Sequence, residues 1–260
     1  MIVNLLGMGM LVYVIAGKGG FTYLESKVQE VMDPRLTGGH ETGYAKTKLS
    51  VYDSLPVSDS DTVFLGDSLL GFGEWSELMG TSTAKNRAVF GDTIGLVAER
   101  TTAILKNHPR HIVLLCGIND LQQGITVERA EREYEAVVTG IVDSSSKINV
   151  WLLPVMGVNQ ELYRTWIQRE HPEAVMPQQL DVDRLNQFIF GLAKIDPRIH
   201  VVKVPAILNE QRQINARFTV DGLHLNGRGL VEIAKALKTA MNPALASGDP
   251  ASSPHPSPAL

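Results

Sequence analysis

The chain has 260 residues, 44% of them hydrophobic, and a formal net charge of -4 from 24 basic and 28 acidic side chains that are interspersed rather than grouped. That is enough apolar material for one sizeable domain, or at most two small ones, and the lack of a basic face argues against a nucleic-acid partner. The one cysteine, Cys116, excludes an internal disulfide and any C-x-x-C metal or redox site; within "HIVLLC" it reads as a small buried apolar residue.

The first element is the apolar run Ile2 to Ala16, shorter than the roughly 20 residues that span a bilayer. Its first basic residue, Lys18, lies behind the run, which is the wrong side for a cleaved leader. Two readings stand: membrane association through residues 2–16, with Lys18, Lys27 and Arg35 keeping the domain cytoplasmic, or a helix packed on a cytoplasmic domain. Residues 1–18 are therefore set apart, and 19–60 form an N-terminal helical extension. From Thr62 onward, short β-branched runs alternate with helical periodicity. Strands are expected at Thr62 to Leu65, Arg87 to Phe90, His111 to Cys116, Asn149 to Leu153 and His200 to Val204.

Between them, Val127, Ala130, Tyr134, Val137 or Val138, and Ile141 recur at helical spacing. Further helices are expected over Thr93 to Lys106, Val182 to Lys194 and Asn226 to Met241. Met156 to Asp181, with Tyr163, Trp166, Met176 and two prolines, is expected to be either a wall of an acyl pocket or an irregular insertion with a small core of its own. From Pro243, five prolines and four serines against two leucines leave too little apolar surface to offset chain ordering, so 243–260 reads as a disordered tail. Alternation of strand and helix with near-continuous apolar strands predicts an α/β domain over 61–242, its parallel sheet covered on both faces.

In such folds ligands sit beyond the carboxyl ends of the strands. Those ends carry Gly66-Asp67-Ser68, Gly91-Asp92, Gly117-Ile118-Asn119-Asp120 and "TVDGLHLNGRG". Ser68 is a candidate nucleophile. It needs a base, and an imidazole titrating near about 6.5 can take the hydroxyl proton and return it to a leaving alkoxide. Of the seven histidines only His224 has an aspartate, Asp221, three residues upstream. Asp221 would fix the imidazole tautomer. The Gly91 N–H, the Asn119 side-chain amide and the Ser68 N–H are the candidate oxyanion donors.

Each piece alone is an ordinary turn or capping signal; their order at successive strand ends gives them weight. Asp67 and Asp92 are expected to make local turn hydrogen bonds. His40, His108, His111, His171, His200 and His255 are expected to be surface or structural. The G-x-S-x-G elbow is missing, because Leu70 stands where its second glycine should be. "GKGG" at 17–20 lacks the serine or threonine of a phosphate loop, and no H-E-x-x-H occurs. No cofactor and no metal are expected.

"FLGDSL", "NRAVFGD", "GIND" and "DGLHLNGRG" resemble, in order, the four sequence blocks of the GDSL, or SGNH, hydrolase family, with Ala88 where many members have glycine. The resemblance implies a flavodoxin-like doubly wound three-layer fold with a parallel sheet of order 2-1-3-4-5. It further implies Ser68, Asp221 and His224 as a catalytic triad, an oxyanion hole of Ser68, Gly91 and Asn119, and a small-molecule acyl ester as substrate. Members are similar to lysophospholipases, thioesterases and platelet-activating-factor acetylhydrolase subunits, and others deacetylate carbohydrates. The expected activity is a serine esterase; a carbohydrate O-acetylesterase and a non-catalytic binding module on the same fold are the alternatives.

Overall fold

The computed structural model describes residues 43–170, 172 and 175–242; the segment at 1–18, most of the 19–60 extension, the tail at 243–260, and His40, His171 and His255 lie outside them. Five strands form the sheet: β1 Thr62–Gly66, β2 Ala84–Asn86, β3 His111–Leu115, β4 Asn149–Leu152 and β5 Ile199–Val201. Every pairing is parallel and the order is β2-β1-β3-β4-β5, the doubly wound arrangement expected. In register, Phe64 lies between Asn86 and Val113. Val63, Phe64, Leu65, Ile112 to Leu115, Val150 and Leu152 are all buried. Strands covered on both faces lose the polar alternation of a half-solvated sheet.

The helices are α1 Gly43–Ser54, α2 Ser68–Gly71, α3 Trp75–Met79, α4 Ile94–Leu105, α5 Ile118–Gln122, α6 Val127–Ser144, α7 Gln160–Glu170, α8 Gln179–Leu192 and α9 Gly227–Met241. α4, α6 and α8 pack side by side on one face of the sheet, while α3 and α9 pack together on the other, as right-handed crossovers require. α6 starts where Thr126 Oγ1 accepts from the Arg129 N–H and buries Val127, Ala130, Tyr134, Val137, Val138 and Ile141. A fully buried aliphatic side chain stabilises by about 1.5–3 kcal/mol, so this one stripe anchors the layer. α9 is capped by Asn226, which accepts from the Arg228 and Gly229 N–H groups, and buries Leu230, Ile233, Ala234 and Leu237.

Three expectations need correction. The second strand is Ala84–Asn86, not Arg87 to Phe90. Arg87 and Val89 still donate to the Phe64 and Gly66 carbonyls, but Asn86 Oδ1 folds back onto the Ala88 N–H at 3.0 Å, a local bond that competes with the ladder. The fifth strand is Ile199–Val201, with Val202 adding only one further bond, to the Leu152 carbonyl. Met156 to Asp181 is not an irregular insertion with its own core. It contains α7, started by Asn159 Oδ1 accepting from the Leu162 N–H, and buries Tyr163 in the main core. Among the described residues, no helix is long and apolar enough to cross a membrane.

Candidate active site

β1 ends in a turn fixed from several directions. Asp67 caps α2, its Oδ1 accepting the Leu69 N–H at 2.9 Å, which makes Ser68 the first helical residue. Trp75 stacks on Phe64 with centroids 4.2 Å apart and donates its Nε1–H to the Leu70 carbonyl at 2.8 Å. The Asn86 amide donates to the Gly71 and Gly73 carbonyls at 3.1 and 2.9 Å. A tied turn holds the Ser68 side chain at one place, mostly but not wholly buried. Asp67 is sealed from solvent. Burial, reinforced by Asp92 and Asp120 nearby, pushes its carboxyl up to about 8 against the opposing Leu69 bond, and its Oδ2 has no hydrogen-bond partner among the described residues.

Ser68 Oγ lies 3.0 Å from His224 Nε2, and His224 Nδ1 lies 2.6 Å from Asp221 Oδ2. With the proton on Nδ1 directed at Asp221, Nε2 is free to accept from the serine hydroxyl. The spacing of three does not come from a helix. It comes from a tight loop in which Asp221 Oδ1 accepts the Leu223 and His224 N–H groups at 2.9 and 2.8 Å. Thr219 Oγ1 braces the same loop, donating to the His224 carbonyl at 2.8 Å and accepting the Gly222 N–H at 2.9 Å. Gly222 has φ +94°, and a Cβ there would lie 2.5 Å from Tyr163 N and 2.6 Å from Asn159 O. The loop thus closes directly on the start of α7. Burial alone would raise the Asp221 carboxyl; the His224 bond and charge and the two backbone N–H bonds outweigh it, so the group titrates below its ordinary value.

Gly91 adopts φ +80°, a conformation open to glycine at little steric cost, immediately after Phe90. Asn119 comes to the same place, its Nδ2 donating to the Asp92 carbonyl at 2.8 Å; the amide carries a second N–H. The Asp92 carboxylate makes no merely local turn bond. It pairs with Arg100 eight residues on, and the same buried guanidinium donates to the Gly66 and Arg87 carbonyls. One arginine therefore joins the end of β1 to the segment carrying Gly91. Asp120 accepts the Ile94 N–H with both oxygens at 3.3 and 3.1 Å, tying the first turn of α4 to α5. Burial pushes its carboxyl up to about 7, against those bonds.

Sequence reasoning overlooked Arg100, Thr219, Asn86 and Phe72. Arg100 had a legible signal, a charge on the apolar stripe of Val97, Thr101 and Ile104, since a charge on a buried face needs partners. Phe72 had none; it is half-exposed and meets the His224 ring edge-on at 5.4 Å. His111 and His200 stay away from Ser68 and flank Trp151, which donates Nε1–H to His111 Nδ1 at 3.1 Å and stacks on His200 at 4.2 Å. Cys116 is buried. Among the described residues no group of three or more His, Cys, Asp or Glu side chains is placed to hold a metal ion.

A family model described as the GDSL-like lipase/acylhydrolase family matches residues 60–230. No curated protein matches the sequence. Among solved structures, a Streptococcus pneumonia protein provisionally named a platelet activating factor is 25% identical, with TM-score 0.68 over 83% of this chain and 98% of its own. A GDSL-like lipase from Bacteroides thetaiotaomicron is 21% identical, with TM-score 0.62 over 78% and 98%. An acetyl xylan esterase is 18% identical, with TM-score 0.54 over 70% and 100%. The last two likenesses are of fold.

Proposed function

The chain belongs to the GDSL-like lipase/acylhydrolase family, whose members hydrolyse ester bonds, and from that premise we propose that it is a serine esterase carrying short to medium acyl groups on Ser68. One observation carries the reading: Ser68 Oγ, His224 and Asp221 Oδ2 form an unbroken hydrogen-bonded chain, with links of 3.0 and 2.6 Å. As Oγ attacks the ester carbonyl carbon, His224 Nε2 takes its proton, and the carbonyl π pair moves to oxygen. The oxyanion receives the Ser68 and Gly91 N–H groups and the Asn119 amide. Collapse expels the alkoxide, which takes the proton from His224 and leaves as alcohol, with the acyl group bonded to Oγ. Water then repeats the sequence with His224 as base, releasing the acid and restoring the serine. Every step is acid–base and acyl transfer.

The purified chain and its Ser68→Ala variant, assayed on p-nitrophenyl esters from acetate to palmitate, test this. Turnover falling by about 10⁵- to 10⁶-fold is expected on the precedent of serine triads, and near-native turnover in the variant would refute it. A rate that drops off beyond acetate points to the O-acetylesterase reading, which has the acetyl xylan esterase among its structural neighbours. A preference for longer chains points to lipid-like esters and to half-exposed Trp166 and Val175 around the α7 segment as acyl contacts. Failure of Ser68 to react with a fluorophosphonate, together with no hydrolysis, points instead to a binding module.

A further inference from the structure

The family match begins at residue 60, yet α1, which precedes it, turns one face toward the segment that ends at Gly91. Tyr44, Lys48 and Tyr52 recur every four residues and so share a face. The Tyr52 hydroxyl donates to the Ala88 carbonyl at 2.9 Å, and the Arg87 guanidinium sits 5.0 Å over its ring. That guanidinium also donates to the Leu55 carbonyl, just past α1, at 3.3 Å. Eight residues earlier, the Tyr44 ring stacks on Phe90 with centroids 4.5 Å apart. Phe90 meets Phe72 at 4.2 Å, and Phe72 meets His224.

Arg87 to Phe90 is bonded along one side to β1, through the Arg87 and Val89 N–H groups. On the other side its carbonyl at Ala88 and its ring at Phe90 meet α1. We infer that α1 is a positioning element of the active centre, setting the place of the Gly91 N–H through Tyr44 and Tyr52. This rests on the reading of Gly91 as an oxyanion donor given above. A donor out of place by about 1 Å can cost on the order of 10² in rate, which is the scale of the effect at stake.

The test uses the full chain with Tyr52→Phe, which removes only the hydroxyl, and Tyr44→Ala/Tyr52→Phe, assayed well below the melting temperature of each. The double variant should lose roughly 10- to 100-fold in kcat with little change in KM, and its affinity for a boronic acid that adds to Ser68 as a tetrahedral adduct should fall in parallel. Tyr44→Phe keeps the ring stack but removes a hydroxyl that bonds to the Phe90 backbone, and should lose less kcat than the double variant. Independently of turnover, amide hydrogen exchange of residues 87–92 should quicken in the double variant while β3 and β4 stay protected. Native kcat and native exchange in that variant would overturn the inference, as would a loss confined to KM. Undiminished turnover by Ser68→Ala would sink the acyl-enzyme reading alone, with exchange at 87–92 still deciding whether α1 holds the segment.

Discussion

Replacing Asp221 by asparagine changes one atom type, and the loop geometry dictates how the new amide points. Oδ1 accepts two backbone N–H groups, from Leu223 and His224, at 2.9 and 2.8 Å. Turning an amide NH2 toward them would leave both donors facing donors, so the amide oxygen keeps that place and Nδ2 faces His224. There Nδ2 donates to Nδ1, the ring proton moves to Nε2, and the nitrogen that faces Ser68 Oγ at 3.0 Å can no longer accept. The fold is preserved and the tautomer is wrong. In a serine protease the equivalent change lowers kcat by about 10⁴, or about 5.5 kcal/mol of barrier at 1.36 kcal/mol per tenfold, and a loss of that order is expected here. The assay is single-turnover acylation by a p-nitrophenyl ester, read beside the ¹⁵N shifts of His224, which report the tautomer directly. A rate within tenfold of native, with the Nε2-protonated tautomer confirmed, would refute the reasoning and show that the aspartate does not set the base.

Asn119→Ala should lower kcat by roughly 10²- to 10³-fold with little change in KM, because the amide is assigned to the transition-state oxyanion; a loss falling on KM alone would remove it from the hole. Gly222→Ala forces a Cβ to 2.5 Å from Tyr163 N at φ +94° and should destabilise by about 2–4 kcal/mol, visible as a Tm lower by roughly 5–10 °C; an unchanged Tm would mean that α7 is not seated on this loop. Asp67 holds its proton to about pH 8 in the fold against an ordinary value of 3.8. The folded state therefore binds more protons between those limits, and this group's stabilising contribution is lost as pH rises through about 8. Asp67→Asn should flatten that fall in urea midpoints between pH 5 and 9, gaining on the native chain as pH rises, and parallel curves would contradict it.

Strands buried on both faces announce themselves, and β1 and β3 begin where their apolar runs predict, at Thr62 and His111. β2 was misplaced because Ala88, Val89 and Phe90 look like strand while the deciding bond is made by the Asn86 side chain. α7 was hidden because its buried face is narrow: Tyr163 is enclosed, whereas Trp166 is half-exposed and charged residues fill much of the rest. At the site, Ser68 follows the end of β1 as expected, whereas Asp221 and His224 lie in a loop well beyond β5, which ends at Val201, and the three are brought into one hydrogen-bonded chain. What holds them there was less legible. Arg100 bridging Gly66, Arg87 and Asp92, and Thr219 tying both ends of its loop, depend on tertiary neighbours that no local pattern encodes.

The hydrogen bond between Ser68 and His224 joins residues 156 positions apart. At a synthesis rate of about 5–20 residues per second, the serine leaves the ribosome on the order of ten seconds before the histidine proposed as its base exists. All five strands are complete by Val201, so a chain nicked by a protease between there and Thr219 retains every strand of the sheet but has Asp221 and His224 on a separate piece. On the proposed mechanism, ester turnover thereby reports on the far end of the domain: a nascent or clipped chain that carries Ser68 is inert until its last loop docks.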